Sequence, residues 1–282
     1  MPPSSFVTVV IPARNEAVGL ASLLPVLGLH LPQGAEIIVI NDGSSDDTLQ
    51  ACAANAVTVL SHPYPKGNGA AIKTGARAAK GDVLVFMDAD GQHKPEDIPA
   101  LLEKFNEGYD MVVGARQSGS QAGLHRAAAN DVFSRFASWM VMQPIADLTS
   151  GFRVVRARRF RQFLYLLPNG FSYPTTITMS FFRAGYSVTY VPIHSPRRSS
   201  GTSHIHPLRD GVRFLLIIIK IGTLFSPQRL FLPVSAGFFL TGVAYYAYTY
   251  LTAGRFTNMS ALLFISAIFT FLVGIVSEQV SA

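Results

Sequence analysis

Residues 82–90 read Asp-Val-Leu-Val-Phe-Met-Asp-Ala-Asp, an apolar run that ends in two carboxylates. The run has no polar alternation, which predicts a strand buried on both faces, as in a parallel sheet. Ligands of open parallel sheets bind outside the carboxyl ends of the strands, so we expect Asp88 and Asp90 at a binding edge. These carboxylates and the Gln92 amide are hard oxygen donors that suit Mg²⁺ or Mn²⁺. The alternative role for such a pair is helix capping in a turn.

Similar apolar runs occur before and after this one. They alternate with helical segments, which is the pattern of an α/β domain with a mostly parallel sheet. The strands predicted from these runs are Phe6–Ile11, Glu36–Ile40, Val57–Leu60, Asp82–Met87, Tyr109–Val113 and Ser187–Pro192. Helices are predicted at 126–142, 155–167 and 172–184, between the last two strands.

Polar residues also follow the first two predicted strands. Asp42 comes directly after the second strand, where it can accept hydrogen bonds from a base or a ribose, although residues 41–47 equally suit a turn with an N-cap. Residues 12–16, Pro-Ala-Arg-Asn-Glu, end the first strand and place a carboxylate on the same rim. Residues 66–69, Lys-Gly-Asn-Gly, precede a helix, and both the lysine and the helix amides favour contacts with a phosphate or a nucleobase. The loop lacks the Walker lysine pattern, and the chain lacks the dinucleotide-binding glycine fingerprint.

Composition narrows the class of partner. The 282-residue chain has a formal charge of +6, which suits phosphates or an acidic membrane surface. Its Lys and Arg residues are scattered without a basic arm, so nucleic acid is not an expected partner. The single cysteine, Cys52, excludes an internal disulfide and a Cys-rich metal site, and it favours the reducing cytoplasm. The first apolar run stops at Pro12, so no secretory signal is expected.

The chain becomes strongly apolar after residue 210, where Glu278 is the only acidic residue. Residues 210–225 carry three charges on an apolar background, which suits an amphipathic helix in the headgroup region. Residues 231–251 and 259–277 have no charge, and each is long enough to cross about 30 Å of hydrocarbon as a helix. The alternative is a pair of buried core helices.

We therefore predict three parts, a domain at 1–207, a juxtamembrane amphipathic helix at 208–228 and a two-helix transmembrane hairpin at 229–282. The basic residues on the side of the first domain outweigh the lone Arg255 of the link, which places that domain in the cytoplasm. The chain is then a multi-pass protein of the cell (inner or plasma) membrane. Small residues on the spans, Gly237, Gly242 and Gly274, permit helix–helix association and hence a homo-oligomer.

Taken together, the motifs resemble those of family 2 glycosyltransferases, in particular the branch of dolichol-phosphate mannose synthases and bacterial polyprenyl-phosphate sugar transferases. The resemblance covers essentially the whole chain. The segments that carry it are 9–16, 41–48, 66–69, 88–93, 147–153, and 191–193 with 198–203. It implies a GT-A fold for the first domain, Rossmann-like with a mostly parallel sheet, and a metal-dependent hexosyltransferase activity.

The resemblance also implies roles for individual residues. The nucleotide-sugar pocket is expected to contain Pro12, Arg14, Glu16, Ile40, Asp42, Lys66, Asp88, Ala89 and Asp90. Catalysis is assigned to Asp88, Asp90, Arg116 and Arg198, and the metal, Mg²⁺ or Mn²⁺, to Asp88, Asp90 and Gln92. The phosphate of the acceptor is expected to meet Arg116, Arg126, Ser134, Arg198 and His204. Two positions depart from the family, since Arg14 stands where Tyr or Phe is frequent and His204 where Lys is common.

Two of the remaining residues keep alternative roles. Ser134 either donates to the acceptor phosphate or is a satisfied helix serine. Asp147 either orients a substrate, caps a helix or pairs with Arg153.

The function that follows is transfer of a sugar, with inversion, from a UDP- or GDP-sugar to undecaprenyl or dolichyl phosphate at the cytoplasmic membrane face, for cell-envelope glycan or glycoconjugate synthesis. The expected partners are the nucleotide-sugar, the polyprenyl phosphate and the bilayer. One alternative is a polysaccharide synthase with a sugar-hydroxyl acceptor, although its usual Gln-x-x-Arg-Trp segment is missing and Trp139 is the only tryptophan. The other is a non-catalytic membrane adaptor on the same fold.

Overall fold

The computed structural model describes residues 6–116, 124–170, 172–194 and 207–281. Within these ranges the strands are β1 (Val7–Ala13), β2 (Glu36–Asn41), β3 (Thr58–Ser61), β4 (Val83–Phe86), β5 (Met111–Arg116), β6 (Arg153–Arg156) and β7 (Val188–Ile193). The α-helices are α1 (Ala17–Leu27), α2 (Thr48–Ala53), α3 (Asn68–Ala78), α4 (Ile98–Asn106), α5 (Leu124–Val141), α6 (Ala157–Arg161), α7 (Tyr173–Arg183), α8 (Pro207–Phe225), α9 (Pro227–Ala253) and α10 (Asn258–Ser281). Short 3₁₀ turns follow α1 and precede α4.

The strands form one sheet in the order β3-β2-β1-β4-β6-β5-β7. Every neighbouring pair is parallel except the two that involve β6, which runs antiparallel to both β4 and β5. This confirms the predicted α/β domain with a mostly parallel sheet. The ends of β1, β2 and β4 lie at the same edge, because these strands are parallel and adjacent.

Strand β6 is the element that the sequence prediction missed. The helix predicted at 155–167 is wrong at both ends, because Arg153–Arg156 is a strand and α6 covers only Ala157–Arg161. Val154 and Val155 are fully buried and point to opposite faces of the sheet. A run of four residues is too short to show the alternation that identifies a strand. Its pairing with β4 and β5, which are distant in the sequence, decides its conformation.

The sheet has a hydrophobic core on each face. Val9 packs in the core under α1 and α4, and its neighbour Val10 packs in the core under α3 and α7. This arrangement explains why the strands are apolar without alternation, since both faces are covered. A third cluster joins α5, α7 and α8 and includes Leu148, Ile218 and Ile221.

Gly75 of α3 offers a test of this packing. A Cβ added there would lie 2.2 Å from Val10 Cγ1, and the β-branched valine has little freedom to move away. We expect Gly75→Ala to destabilise the fold by about 2 kcal/mol, since overpacking of a tight core carries this cost. Thermal unfolding in detergent measures the effect as a Tm lower by about 5 °C. Gly28→Ala is the matched control, because a Cβ at Gly28 meets nothing within 4 Å. Equal Tm values for the two variants would contradict the packing.

Helices α9 and α10 are each long and apolar enough to cross a membrane, over Pro227–Ala253 and Asn258–Val280. Only 11% and 17% of their most apolar stretches is buried within the protein. The alternative of two buried core helices is therefore wrong, since a core helix is covered by its own protein. Each helix is longer than the predicted span, because α9 begins at Pro227 and α10 continues to Ser281.

The two helices pack against each other through small residues. A Cβ at Gly242 would lie 3.2 Å from Leu263 Cβ, and one at Gly274 would lie 2.9 Å from Phe231 Cβ. Both glycines thus lie at the contact between α9 and α10 within one chain. The prediction had assigned them to association between copies of the chain. A Cβ at Gly237 meets nothing within 4 Å.

The hairpin is tied directly to the first domain. Arg229 Nη1 donates to the carbonyl oxygens of Trp139 and Met140, at 3.2 and 3.4 Å, near the end of α5. Glu278 from the end of α10 accepts a hydrogen bond from the Gln228 amide at 3.4 Å. Both ends of the hairpin therefore meet beside α5.

Candidate functional site

Asp88 and Asp90 lie directly after β4 at the binding edge of the sheet, where the sequence predicts them. The Asp88 amide donates to His93 Nδ1 at 2.9 Å, and Asp90 Oδ1 accepts from the Gln92 amide at 3.1 Å. These bonds fold residues 88–93 into a compact turn. The Asp88 side chain is 35% exposed, so its carboxylate is accessible at the edge.

His93 supports this turn from below, a role that the sequence prediction did not assign. Its ring is buried and stacks on Phe152, with ring centroids 5.0 Å apart. Burial lowers the pKa of His93 to about 4, so the ring is neutral at pH 7. Because Nδ1 accepts the Asp88 amide, the ring proton is on Nε2. The signal available in the sequence was a histidine three residues after Asp90.

Arg116, at the end of β5, forms a bidentate ion pair with the buried Asp147. Nε donates to Asp147 Oδ2 at 2.8 Å and Nη2 donates to Oδ1 at 3.0 Å. Burial alone would raise the pKa of Asp147, but the hydrogen bonds and charge of Arg116 outweigh it and hold that pKa below its usual range. Nη2 also donates to Thr149 Oγ1, and Nη1 has no hydrogen-bond partner in the part of the chain that the structure describes.

The predicted alternative of an Asp147–Arg153 pair is wrong. Arg153 is fully buried and donates instead to the carbonyl oxygens of Ser150 and Pro174 and to the Thr178 hydroxyl. Burial lowers the pKa of Arg153. The cation therefore anchors the turn after Asp147 to α7, because a buried guanidinium must find hydrogen-bond acceptors nearby.

The turn after Asp147 also reaches the acidic pair. A Cβ at Gly151 would lie 3.1 Å from Asp88 Oδ2, and the Gly151 carbonyl accepts a hydrogen bond from Tyr173 at 3.1 Å. Burial alone would lower the pKa of Arg116, but its hydrogen bonds to Asp147 and the charges of Asp147, Asp88 and Asp90 outweigh burial and raise that pKa. The structure thus brings together two carboxylates, one arginine and its buried counter-ion in one site.

The rim formed by residues 12–16 is held by the loop that follows β2. The Asn15 amide donates to Ser44 Oγ at 3.0 Å, and the Ser45 amide donates to Asn15 Oδ1 at 2.8 Å. Asp46 accepts from the Ala17 amide at the start of α1, at 3.2 Å, and from the Thr48 amide at the start of α2, at 3.1 Å. Arg14 is exposed, whereas Pro12 and Glu16 are half-buried on the same rim.

Three residues expected in the nucleotide pocket have buried side chains. Ile40 and Ala89 belong to the two cores of the sheet, at 0% and 2% exposure. Asp42 is 3% exposed and accepts hydrogen bonds from His62 and from the amides of Lys66 and Gly67. The Asp42 carboxylate is thus nearly enclosed, and three of its roughly four hydrogen-bond acceptor positions are used by the protein.

The loop at 66–69 also differs from the prediction. The amides of Gly69 and Ala70, at the start of α3, donate to the carbonyl oxygens of Gly170 and Asn169 at 3.2 and 2.9 Å. These helix amides are occupied by the chain itself and do not offer the predicted anion site. Lys66 is exposed, with its ammonium 5.5 Å from the centre of the Tyr64 ring.

The residues predicted for the acceptor phosphate are only partly described. Arg126 and Ser134 lie in α5, and Arg198 and His204 lie outside the described residues. Ser134 is buried, and its hydroxyl has no hydrogen-bond partner within the described ranges. A buried hydroxyl without a partner among the described residues is available to donate to a ligand.

The acidic turn fits a divalent cation only if other ligands complete the shell. In the described part of the chain no group of three or more His, Cys, Asp or Glu side chains is arranged to hold a metal ion by itself. The carboxylates of Asp88 and Asp90 supply two anionic oxygens, and the side-chain amide of Gln92 supplies one neutral oxygen. Mg²⁺ keeps several waters and is commonly held by one or two carboxylates and substrate phosphates, so this donor set suits it.

Comparison with known proteins agrees with this geometry. Residues 8–167 match the sequence profile of glycosyl transferase family 2. The chain belongs to glycosyl transferase family 2. Residues 226–282 of this glycosyltransferase match a second profile, the GtrB C-terminal hairpin, which covers α9 and α10. The resemblance drawn from the strand-end motifs is thus confirmed.

This glycosyltransferase is similar to two relatives and to one solved structure. It is 29% identical over 264 residues to an undecaprenyl-phosphate 4-deoxy-4-formamido-L-arabinose transferase of Pseudomonas savastanoi, which covers 87% of this chain and 73% of the relative. It is 27% identical over 215 residues to a dolichyl-phosphate hexose transferase of Haloferax volcanii, covering 76% of this chain and 92% of the relative.

The solved structure is a glucosyl-3-phosphoglycerate synthase of Mycobacterium tuberculosis, in complex with Mn²⁺, UDP-glucose and phosphoglyceric acid. It superposes with a TM-score of 0.63 at 21% identity, over 78% of this chain and 80% of that one. At this identity the likeness shows the fold alone, and it confirms the predicted GT-A fold.

Proposed function

We propose that this family 2 glycosyltransferase transfers a sugar from a UDP- or GDP-sugar to the phosphate of a polyprenyl phosphate, with inversion at the sugar C1. The observation that carries the proposal is the continuity between the site and the membrane-directed helices. Asp147, which holds Arg116, is followed by Leu148, and Leu148 packs in the same cluster as Ile218 and Ile221 of α8. The site is therefore built directly onto the helix that leads into the hairpin.

Helix α8 suits the membrane surface. Ile218 and Ile221 face the protein, whereas Leu215, Leu216 and Leu224 are exposed on the same helix. An amphipathic helix of this kind lies in the headgroup region, which is where a long isoprenoid presents its phosphate. This supports a catalytic domain at 1–207, a juxtamembrane helix at 208–228 and a membrane hairpin at 229–282. The proposal places the domain in the cytoplasm because basic residues are more numerous on its side of the hairpin.

The reaction requires the site mainly to position the two substrates and to neutralise their negative charges. A lipid phosphate is anionic at pH 7, so its oxygen attacks C1 without a strong general base. The new C1–O bond forms as the C1–O bond to the donor diphosphate breaks, and the electron pair leaves with the diphosphate. The preorganised charges of the site stabilise both anions during this step.

Named residues take the following parts in the proposal. Asp88, Asp90 and Gln92 would hold a Mg²⁺ or Mn²⁺ ion, which would supply positive charge to neutralise the donor diphosphate. Arg116 contacts a phosphate with Nη1 while Asp147 fixes its orientation. Ser134 donates to the acceptor phosphate, together with Arg126, Arg198 and His204. The donor nucleotide lies along the rim formed by Pro12, Arg14, Glu16 and Lys66. The buried residues Ile40, Asp42 and Ala89 support this rim.

The experiment uses the full chain in detergent with undecaprenyl or dolichyl phosphate, Mg²⁺ or Mn²⁺, and a panel of radiolabelled UDP- and GDP-sugars. We expect label from one donor to enter the organic phase, and EDTA to abolish the transfer. A mild-acid hydrolysis of the product checks that the sugar is linked to a phosphate.

Two results would count against the proposal. Label that enters a water-soluble glycan without lipid product would favour a hydroxyl acceptor. Transfer that is unchanged by EDTA would remove the metal from the mechanism, because Asp88 and Asp90 would then have no cation to hold.

A further inference from the structure

His62 is a buried histidine that the proposed chemistry leaves without a role. It lies directly after β3 and is 8% exposed. Its Nδ1 is 2.6 Å from Asp42 Oδ1 and its Nε2 is 2.9 Å from Thr74 Oγ1. Both ring nitrogens are therefore used inside the protein, which suits a residue that orients others.

Asp42 is the centre of this arrangement. Besides His62, its carboxylate accepts from the Lys66 amide at 2.8 Å and from the Gly67 amide at 2.7 Å. Burial would raise the pKa of Asp42, but the bonds from His62 and the two amides hold that pKa below its usual range. An ionised carboxylate only accepts hydrogen bonds, so His62 Nδ1 carries the proton that it donates to Asp42. In the neutral ring, Nε2 then accepts from the Thr74 hydroxyl.

The bonds connect four parts of the chain in a closed circuit. Asp42 follows β2, His62 follows β3, Thr74 lies in α3, and Lys66 and Gly67 immediately precede α3. Gly67 has a φ of +103°, and a Cβ there would lie 2.5 Å from the Asn169 carbonyl oxygen. The loop before α3 is thus held from the sheet by Asp42 and confined on its other side by residue 169.

We propose that His62 is a positioning residue for the nucleotide part of the donor. It orients Asp42, and Asp42 holds the amides of Lys66 and Gly67, so that the 63–67 loop forms one wall of the donor pocket before the donor arrives. His62 itself is buried and does not touch the nucleotide. The inference rests on the proposed function in that the pocket beside this loop is the donor's. Preorganisation of a binding loop improves affinity by reducing the ordering cost of binding.

The first test compares His62→Ala with His62→Asn in the full chain in detergent. We expect His62→Ala to weaken binding of UDP or GDP with Mn²⁺ by about tenfold in calorimetry, since a hydrogen bond to a charged group is lost. In the transfer assay KM for the donor rises by a similar factor, and kcat changes less than about twofold because the reacting groups are intact. Asn keeps a donor near the position of Nδ1, so His62→Asn restores most of the affinity. His30→Ala, in the turn after α1, is the control.

The second test needs neither donor nor acceptor. In hydrogen–deuterium exchange, the peptide that contains the Lys66 and Gly67 amides exchanges at least about tenfold faster in His62→Ala, because these amides lose an oriented acceptor. His62→Asn restores the protection, and His30→Ala leaves it unchanged. Unaltered protection in His62→Ala would overturn the proposal, even if the acceptor of the enzyme proved to be different. Faster exchange with unaltered nucleotide affinity would also overturn it, since the loop would then not belong to the pocket. If His62→Ala does not fold, Thr74→Val, which removes the hydroxyl bonded to His62 Nε2, is expected to show the same faster exchange and weaker nucleotide binding, and unaltered values of either would overturn the proposal.

Discussion

Replacing Asp88 by Asn reduces sugar transfer by about a thousandfold, the scale expected when a key electrostatic partner of a transferring group is lost. The change removes one of the two negative charges of the acidic turn and keeps the size of the side chain. Folding should be retained, because the Asp88 amide that binds His93 belongs to the backbone and the side chain is 35% exposed. The same loss is expected for Asp90→Asn. The measurement is kcat with the labelled donor and the lipid phosphate, at several Mg²⁺ or Mn²⁺ concentrations.

Asp82→Asn is the matched control for this experiment. Asp82 is exposed just before β4, so it lies at the opposite end of the same strand from Asp88. It should leave both kcat and the thermal midpoint unchanged. Unchanged transfer by a folded Asp88→Asn variant would instead support the non-catalytic adaptor or a site elsewhere on the fold.

Replacing Asp147 by Ala is expected to lower both stability and activity. Asp147 is 1% exposed and accepts from Arg116, from the Thr149 amide at 3.0 Å and from the Ser150 amide at 3.1 Å. Removing one partner of a buried ion pair costs about 3–5 kcal/mol. Arg116 loses its orientation at the same time, so transfer falls by about a hundredfold or more.

Arg116→Lys separates the two effects. Lysine keeps the charge but cannot form the bidentate contact, so we expect most of the activity to be lost with a smaller change in the thermal midpoint. Lys104→Ala, which removes the exposed Lys104–Glu107 pair of α4, should leave both measurements unchanged. Full activity in Arg116→Lys would show that only the charge at this position matters.

Local sequence signals were sufficient to predict the buried strands of the sheet and the apolar hairpin. A strand covered on both faces must be apolar throughout, and β1, β2 and β4 are such runs. A membrane span must be apolar over the thickness of the hydrocarbon, and α9 and α10 satisfy this by length and composition. The placement of Asp88 and Asp90 at the sheet edge followed as well, because the carboxyl ends of adjacent parallel strands meet there.

The pairing of side chains inside the site did not follow from the sequence. In the structure Arg116 pairs with Asp147 and Asp42 pairs with His62, and neither pair was predicted. In each case the prediction identified a polar residue at the right edge but assigned its contacts to a ligand. A buried carboxylate takes whatever donors the fold brings within reach, and these donors come from other elements.

The sequence by itself therefore determined the α/β domain, the edge at which its polar residues gather and the apolar hairpin, because each of these is encoded in residues that are neighbours along the chain. Only the tertiary structure decided that 153–156 is a strand, that Arg153 ties the turn after Asp147 to α7 and that His62 holds Asp42. These features depend on contacts between segments 20 or more residues apart or on sheet partners distant in the chain. Local periodicity in the sequence does not predict which distant segments come into contact.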